Sequence, residues 1–412
     1  MPEYFDTLET RDPEVRERAL MAQLPRQIAY AKTHAPAFGR LLHDVDPAAI
    51  STRAALAGLP VTRKSELLER QRASRPFGGF AATQWGDAVR VFASPGPICE
   101  PEGRVPDYWR LARALFAAGF RRGDLIHNCF SYHFTPAGSM LETGAHALGC
   151  TVFPGGTGQT EQQVQAMADL QPDGYVGTPS FLRIILDRAD EMGIRPPSLR
   201  KALVSGEAFL PVVREALSAR GISGYQVYAS ADLGAIAYET EAHEGLVLDE
   251  ALLVELVHPG TGEHVVEGEV GEVVVTTLFN TSYPLIRFGT GDLSMFVPGM
   301  SPCGRTNARI KGWMGRADQT TKVKGMFVHP SQVAAIVKRH PEIVKARLVV
   351  DNPDGSDRMT LVAEVPGNQS SHAAAVIASI RDVTKLRGEV TFRAPGELPN
   401  DGKVIDDVRK LD

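Results

Sequence analysis

The 412-residue chain has few cysteines, no long apolar run and little net charge. Its four cysteines form no CxxC pair, which argues against a disulfide framework and makes a reducing cytoplasm the expected compartment. No apolar run approaches the roughly 18 residues of a membrane-spanning helix, and the charged N-terminus does not predict a signal peptide. The net charge of -5 offers no basic surface, so we expect no nucleic-acid partner.

What remains is the composition of a globular protein, with 43% hydrophobic and 23% charged residues. The chain is too long for one ordinary hydrophobic core, so two or three domains are expected. Residues 12–43 show helical spacing of apolar side chains, which predicts a helical start over residues 1–75.

Strand and helix patterns alternate between Asp107 and Tyr228. This alternation predicts an α/β fold with a mostly parallel sheet flanked by helices. Ligands of such sheets bind beyond the carboxyl ends of the strands, so we expect the chemistry in the turns there. Five turns follow predicted strands: 131–134, 155–158, 178–180, 205–208 and 228–232.

Two further segments follow the predicted parallel sheet. Alternating strand patterns between residues 246 and 282 predict a small β-barrel subdomain at about 240–315. Beyond Asp318 the order of strands and helices is ferredoxin-like and predicts an independent α+β lid. The expected domains are therefore residues 1–316 and 317–412.

The stretch Pro284 to Val333 carries the most specific pattern. A short extended run leads into Thr290-Gly291-Asp292, where glycine allows a sharp turn that presents one carboxylate. A carboxylate so placed can accept two hydrogen bonds from a ribose diol, although Asp292 could also simply cap a turn.

The order of motifs in this stretch is TGDL at 290–293, GRAD at 315–318 and KGMFVHPSQV at 324–333. This order resembles the adenylate-forming superfamily of acyl-CoA synthetases, nonribosomal adenylation domains and luciferases. It is more similar still to the phenylacetate–CoA ligase branch. The resemblance extends from about Gln27 to Lys410.

The resemblance implies a nucleotide site and a catalytic metal. The turn SGEAF resembles the family's turn under adenine, and YASADLG resembles the motif whose tyrosine stacks on adenine and whose acid binds Mg²⁺. Asp232 is the implied Mg²⁺ ligand, although its alternative role is a helix N-cap. The implied nucleotide-binding residues are Ser94, Gly96, Gly206, Glu207, Ala208, Tyr228, Ala229, Ser230, Asp292 and Arg316.

The phosphate loop departs from the family pattern. The sequence keeps Ser94 and Gly96, but Pro95 and Pro97 stand where backbone N–H donors are wanted. Glu100 replaces the loop lysine and would repel phosphate. Because each charge-assisted hydrogen bond contributes roughly 1.5–3 kcal/mol, several kcal/mol of ATP binding are expected to be missing.

Two lysines correspond to family positions. Lys403 follows the turn 400–402, and the resemblance implies that it reaches the substrate carboxylate and the α-phosphate, with a hinge at Asp318 for the lid. Lys64 corresponds to a lysine of the ligase branch, although a solvated surface lysine is the alternative.

The substrate pocket is expected between the strand ends. Its predicted wall comprises Tyr132, His133 and Phe134 with Gly206 and Ala231, although an aromatic trio also suits a core. His243 and Cys303 provide two of the four ligands that a structural zinc needs, so no zinc is expected.

The expected reaction is adenylation of an acid by ATP and Mg²⁺, followed by transfer to CoA. Two alternatives remain open: transfer to an amine, hydroxyl or carrier protein, and a non-catalytic binder of nucleotide or acyl-adenylate. The branch further implies an aromatic acid and a homodimer.

Overall fold

The computed structural model describes residues 3–94, 97–194, 198–258, 261–314, 317, 321–328, 330–353, 355–366, 372–399 and 403–409. The chain divides into two compact units, the first formed by Met1–Phe209 with Val213–Met314 and the second by Gly315–Asp412 with Leu210–Val212. None of the helices in these ranges is both long and apolar enough to cross a bilayer.

The chain begins with helices, as the spacing predicted. Asp12 caps the first helix, because its carboxylate accepts the backbone N–H groups of Glu14 and Val15 at 2.9 and 3.0 Å. The helices up to residue 219 are α1 Pro13–His34, α2 Pro36–Leu41, α3 Arg53–Ala57, α4 Lys64–Ala73, α5 Ala112–Ala117, α6 Ala137–Leu148, α7 Thr160–Leu170, α8 Pro179–Glu191 and α9 Pro211–Ala219. A short 3₁₀ turn, Pro47–Ala49, lies between α2 and α3.

A nine-stranded sheet forms the centre of the first unit. Its strands are β4 Leu125–Asn128, β5 Thr151–Phe153, β6 Gly174–Gly177, β7 Lys201–Val204, β8 Ser223–Ser230, β9 Gly234–Tyr238, β10 Leu246–Leu248, β14 Phe296–Val297 and β15 Arg309–Ile310. Their order is β14-β15-β10-β9-β8-β7-β6-β4-β5, and the five strands from β8 to β5 are parallel. The predicted parallel sheet is therefore confirmed, with its carboxyl ends at one edge.

A second sheet has four strands: β1 Thr62–Arg63, β11 Leu252–Val257, β12 Gly271–Thr277 and β13 Phe288–Ser294. Their order is β1-β13-β12-β11, with β1 parallel to β13 and the others antiparallel. The segment predicted as a β-barrel thus supplies strands to both sheets. The reason is that β10 pairs with β9 at the edge of the nine-stranded sheet, β15 pairs with β10, and β14 pairs with β15.

The region of the predicted phosphate loop is a hairpin. Strands β2 Arg90–Ser94 and β3 Ile98–Glu102 are antiparallel and pair from Arg90 with Glu102 to Ser94 with Ile98. Helix α4 is tied to this hairpin by Gln71, whose amide both donates to and accepts from the backbone of Cys99 at 2.9 and 2.8 Å. This tie fixes the hairpin against the helix that begins at Lys64.

The second unit contains a four-stranded sheet and two helices. Its elements are β16 Thr321–Val323, β17 Met326–Val328, α10 Pro330–Arg339, β18 Lys345–Asp351, β19 Arg358–Glu364, α11 Ala373–Thr384, β20 Glu389–Arg393 and β21 Ile405–Asp407. The sheet order is β20-β19-β18-β21, while β17 pairs with β16. Lys324 and Gly325 both have positive φ, the geometry of a two-residue hairpin turn, so β17 folds back on β16 and does not join the larger sheet.

Candidate active site

Asp292 lies within β13 of the four-stranded sheet and contacts a residue of the nine-stranded sheet. Its Oδ2 accepts a hydrogen bond from the hydroxyl of Tyr228 at 3.0 Å, and its Oδ1 accepts one from the indole N–H of Trp313 at 3.1 Å. Tyr228 belongs to β8 of the nine-stranded sheet, so this contact joins the sheets. The carboxylate is half-buried and held by long-range partners, which is a different role from capping a local turn.

Trp313 is a site residue that the sequence reasoning missed. It lies 21 residues after Asp292 and is half-buried. A buried indole N–H usually finds an acceptor, so a tryptophan between the TGDL and GRAD motifs was the available signal.

The turns after β6 and β7 are joined by a carboxylate. Glu207 accepts the backbone N–H of Ser180 at 2.7 Å, which satisfies one of the free donors in the first turn of α8. The hydroxyl of Ser205 donates to the carbonyl of Val227 on the next strand at 2.7 Å. Because β6, β7 and β8 are parallel neighbours, these contacts bring the predicted adenine-side turns to one edge of the sheet.

Asp232 lies in the turn between the antiparallel strands β8 and β9. The turn is closed by the backbone N–H of Leu233, which donates to the hydroxyl of Ser230 at 3.2 Å, and by the pairing of Ser230 with Gly234. A strand follows this turn, so the alternative of a helix N-cap for Asp232 is wrong. The hairpin places the carboxylate in the interior, with 2% of the residue exposed.

Lys64 forms an ion pair with Asp232. The ammonium Nζ lies 2.5 Å from Oδ2, and the lysine side chain is only 20% exposed. The other oxygen, Oδ1, is buried and has no hydrogen-bond partner among the described residues. The alternative that Lys64 is a solvated surface lysine is therefore wrong, because the start of α4 directs its side chain to a buried carboxylate.

Glu100 is fully buried in the same neighbourhood. Its carboxylate accepts the hydroxyl of Ser94 at 2.5 Å and the backbone N–H of Ser94 at 3.3 Å. Burial is the main reason that the pKa of Glu100 is raised from 4.5 to about 8, and repulsion from Asp232 adds to it while Lys64 opposes it. Two carboxylates and one ammonium are thus grouped where the family pattern has a phosphate loop.

The donor set fits a magnesium ion shared with phosphates. Among the described residues, no group of three or more histidine, cysteine or acidic side chains is placed to hold a metal alone. Mg²⁺ typically uses only one or two carboxylates, with phosphates and water supplying the other ligands. The Oδ1 of Asp232, which has no hydrogen-bond partner among the described residues, could serve as such a ligand. The other oxygen, Oδ2, is occupied by the ammonium of Lys64.

Other predicted residues lie elsewhere or outside the described ranges. Gly96, Arg316 and Asp318 are outside the described residues. Lys403 lies in the second unit, just before β21, with its side chain 53% exposed and its Nζ 3.0 Å from Oδ1 of Asp406. Its assignment stays a prediction.

The predicted aromatic wall divides into different environments. The hydroxyl of Tyr132 donates to Glu142 at 2.7 Å and accepts from Asn128 at 2.8 Å, and burial raises its pKa. His133 and Phe134 are exposed, and the carbonyl of Phe134 accepts the N–H of Ala93 in the hairpin at 2.8 Å. Gly206, Ala208, Ala229 and Ala231 are half-buried.

A buried histidine and a glutamine organise the glycine-rich turn after β5, and sequence reasoning missed both. Nε2 of His127 lies 2.6 Å from Oε1 of Gln163. The amide nitrogen of Gln163 donates to three carbonyls of the turn 155–158 at 2.9–3.2 Å. Burial lowers the pKa of His127, so it stays neutral and donates to the glutamine. Gln163 ends the stretch GGTGQTEQQ (155–163), which was the available signal, whereas His127 lies in a predicted strand with no motif of its own.

Comparison with known proteins identifies the family. No protein-family profile matches the chain. The chain is 33% identical over 382 residues to the phenylacetate-coenzyme A ligase of Thermus thermophilus, covering 88% of this chain and 84% of that protein. The chain belongs to the phenylacetate–CoA ligase family. The resemblance inferred from the motifs is confirmed, and the family's enzyme in Escherichia coli K12 is 30% identical over 80% of this chain and 77% of its own length.

Solved structures agree with this membership. The structure of 2-hydroxyisobutyryl-CoA ligase with 2-HIB-AMP and CoA matches with a TM-score of 0.82 at 25% identity, over 98% of this chain and 92% of that one. The α/β fold class of an adenylate-forming ligase is therefore confirmed. An amide bond synthetase, McbA from Marinactinospora thermotolerans, shares the fold at 16% identity with a TM-score of 0.56.

Proposed function

We propose that this member of the phenylacetate–CoA ligase family activates a carboxylic acid with ATP and transfers the acyl group to CoA. An oxygen of the acid attacks the α-phosphorus, the bond to the β-phosphate breaks, and pyrophosphate leaves. The thiol sulfur of CoA then attacks the acyl carbonyl, AMP leaves, and the thiol proton passes to solvent. The names of the relatives support an aromatic acid as substrate.

The observation that carries the proposal is the convergence on Asp292. A ribose diol needs a fixed acceptor, and two donors from distant parts of the chain, Tyr228 and Trp313, hold this carboxylate in one orientation. Glu207, at the neighbouring strand end, fixes the turn that we assign to the adenine. Pre-orientation of this kind lowers the entropic cost of binding and of reaction.

The roles of Lys403 and Asp232 follow from the charges that the reaction brings together. Attack by a carboxylate on a phosphate brings two anions together, so the site needs positive charge at the reacting oxygens. We assign that charge to Lys403, and we assign Asp232 to Mg²⁺, which when bound neutralises the phosphates. The division of the chain at Met314 and Gly315 supports a lid formed by the second unit, with the predicted hinge at Asp318 and ribose contact at Arg316.

Isotope exchange between pyrophosphate and ATP tests the adenylation step. A panel of aromatic and aliphatic acids should give acid-dependent exchange, with the largest rate identifying the substrate class. No exchange with any acid, combined with CoA-dependent consumption of a synthetic acyl-AMP, would show that only the second step exists.

A variant of Lys403 separates the two steps. Lys403→Ala should lose acid-dependent exchange by at least about 100-fold, because one positioned charge at a developing anion contributes a factor of this order. Thioester formation from supplied acyl-AMP should stay within a few-fold of the unmodified protein. Lys385→Ala removes another exposed lysine of the second unit and serves as the control. Equal losses in both steps for Lys403→Ala would contradict the assignment.

A further inference from the structure

The buried neighbourhood of the β2–β3 hairpin contains one more carboxylate than the proposed function needs. Asp232 suffices as a single metal ligand, yet Glu100 lies close enough for the two carboxylates to repel each other, and each is almost completely buried. Buried carboxylates are rare unless they are paired or bind a cation. The ammonium of Lys64 pairs with Asp232, and its charge also acts on Glu100.

A count of the charges around Glu100 and Asp232 indicates that this neighbourhood lacks positive charge. The family pattern has a lysine at the loop position where this chain has Glu100, so the local charge differs by two units when Glu100 is ionised. That difference equals the charge of one divalent cation. Lys64 supplies one positive charge for the two carboxylates, which leaves the group negative when both are ionised.

One geometric observation points to a cation, and a second fixes the position of the Glu100 carboxylate. The Oδ1 of Asp232 is buried without a hydrogen-bond partner among the described residues, and such an atom costs free energy unless a ligand satisfies it. The contacts of Glu100 come from Ser94 at the end of β2, so its carboxylate is anchored at the point where the chain enters the loop. Helix α4 fixes both the hairpin, through Gln71, and Lys64.

We propose that Glu100 and Asp232 together bind the divalent cation that accompanies the outer phosphates of ATP, so that in this chain the metal takes the place of the missing loop lysine. This inference rests on the proposed use of ATP. Mg²⁺ bound through two carboxylates and phosphate oxygens has the usual ligand set for this ion. A consequence is that ATP binding depends on the metal through both carboxylates, whereas AMP binding, which has no outer phosphates, does not.

Binding experiments test the proposal without reference to catalysis. Mn²⁺ binding to the full chain with ATP is measured by electron paramagnetic resonance, and ATP and AMP binding by calorimetry with and without Mg²⁺. Glu100→Gln and Asp232→Asn should each weaken Mn²⁺ binding in the ATP complex by at least about tenfold, since even loss of an indirect partner of a metal ligand has this effect. ATP affinity with Mg²⁺ should fall in parallel, and AMP affinity, which reports correct folding, should stay unchanged.

The sign of the effect on ATP distinguishes the proposal from its opposite. If Glu100 merely occupies the donors of Ser94 and repels phosphate, Glu100→Gln will strengthen ATP binding, and the proposal is overturned. Unchanged Mn²⁺ binding in Glu100→Gln, together with loss in Asp232→Asn, also overturns it.

Two further variants complete the test. Glu102→Gln removes a buried carboxylate of the same strand that is paired with Arg90 and Ser139, and should leave Mn²⁺ binding unchanged. Glu100→Lys restores the family's charge at this position and should make ATP binding less dependent on the metal than it is in the unmodified protein, with Asp232 as the remaining carboxylate ligand. Metal dependence that is unchanged in Glu100→Lys would contradict the proposal even if Glu100→Gln failed to fold. Failure of acid-dependent exchange with intact Mn²⁺–ATP binding would refute the proposed reaction and leave the metal assignment standing.

Discussion

The buried carboxyl of Glu100 should make the stability of the first unit depend on pH. Its pKa is raised from 4.5 to about 8, mainly by burial and further by repulsion from Asp232. The folded protein therefore binds this proton more tightly than the unfolded chain does. Between pH 4.5 and about pH 8, unfolding releases about one proton from Glu100. The stability that Glu100 contributes is therefore fully present below pH 4.5 and is lost as the pH rises towards 8.

The size of the pH effect on the free energy of unfolding follows from the shift in the pKa of Glu100. One pKa unit corresponds to about 1.4 kcal/mol, so a shift from 4.5 to about 8 corresponds to a contribution of up to about 5 kcal/mol. Between pH 5 and pH 8 the free energy of unfolding should fall by about 4 kcal/mol through this group alone.

The substitution Glu100→Gln isolates this contribution. A glutamine, like the protonated acid, is uncharged and keeps one carbonyl oxygen, which can still accept the hydroxyl of Ser94. The variant should have nearly the stability of the unmodified protein at pH 5. At pH 8 it should be more stable by several kcal/mol, because it keeps no buried charge.

Denaturant unfolding at pH 5, 6, 7 and 8, followed by tryptophan fluorescence, measures the difference. Glu69→Gln, at an exposed position of α4, is the control and should track the unmodified protein at every pH. A constant difference between Glu100→Gln and the unmodified protein from pH 5 to 8 would refute the reasoning, since it would mean that Glu100 does not titrate in this range. A variant that becomes less stable relative to the unmodified protein as the pH rises would refute it as well.

Two other substitutions test the geometry of the site and of its supporting turn. Trp313→Phe keeps an aromatic side chain but removes the donor to Asp292, so AMP binding measured by calorimetry should weaken about tenfold, the effect of losing one hydrogen bond to a charged group at a half-buried site. Gly234→Ala should destabilise the protein by about 2 kcal/mol or more, because its φ of +73° is unfavourable for alanine and the new methyl would lie 2.5 Å from the carbonyl oxygen of Trp109. The control Gly193→Ala also lies at positive φ but has open space around it, so it should lower the melting temperature less than Gly234→Ala does. Equal decreases in melting temperature for the two variants would show that the contact with Trp109 is unimportant.

Local patterns predicted the elements well where one periodicity dominates. The alternation between Asp107 and Tyr228 predicted the parallel strands and helices, since a buried strand and an amphipathic helix leave different apolar spacings in the sequence. The order of the TGDL, GRAD and KGMFVHPSQV motifs predicted the family, which the relatives confirm. The strands between 246 and 282 were predicted as strands, but their division between two sheets depends on pairing partners far along the chain.

The sequence by itself determined which side chains stand at the strand ends, because the spacing of apolar and turn residues fixes where each strand stops. Only the tertiary structure decided what those side chains meet. Lys64 and Asp232 are 168 residues apart, and nothing local to either one distinguishes a buried ion pair from a solvated lysine and a capping acid. The same holds for Trp313 and Asp292, because the partner of a buried polar group is chosen by the packing of whole elements, and that packing leaves no period in the chain.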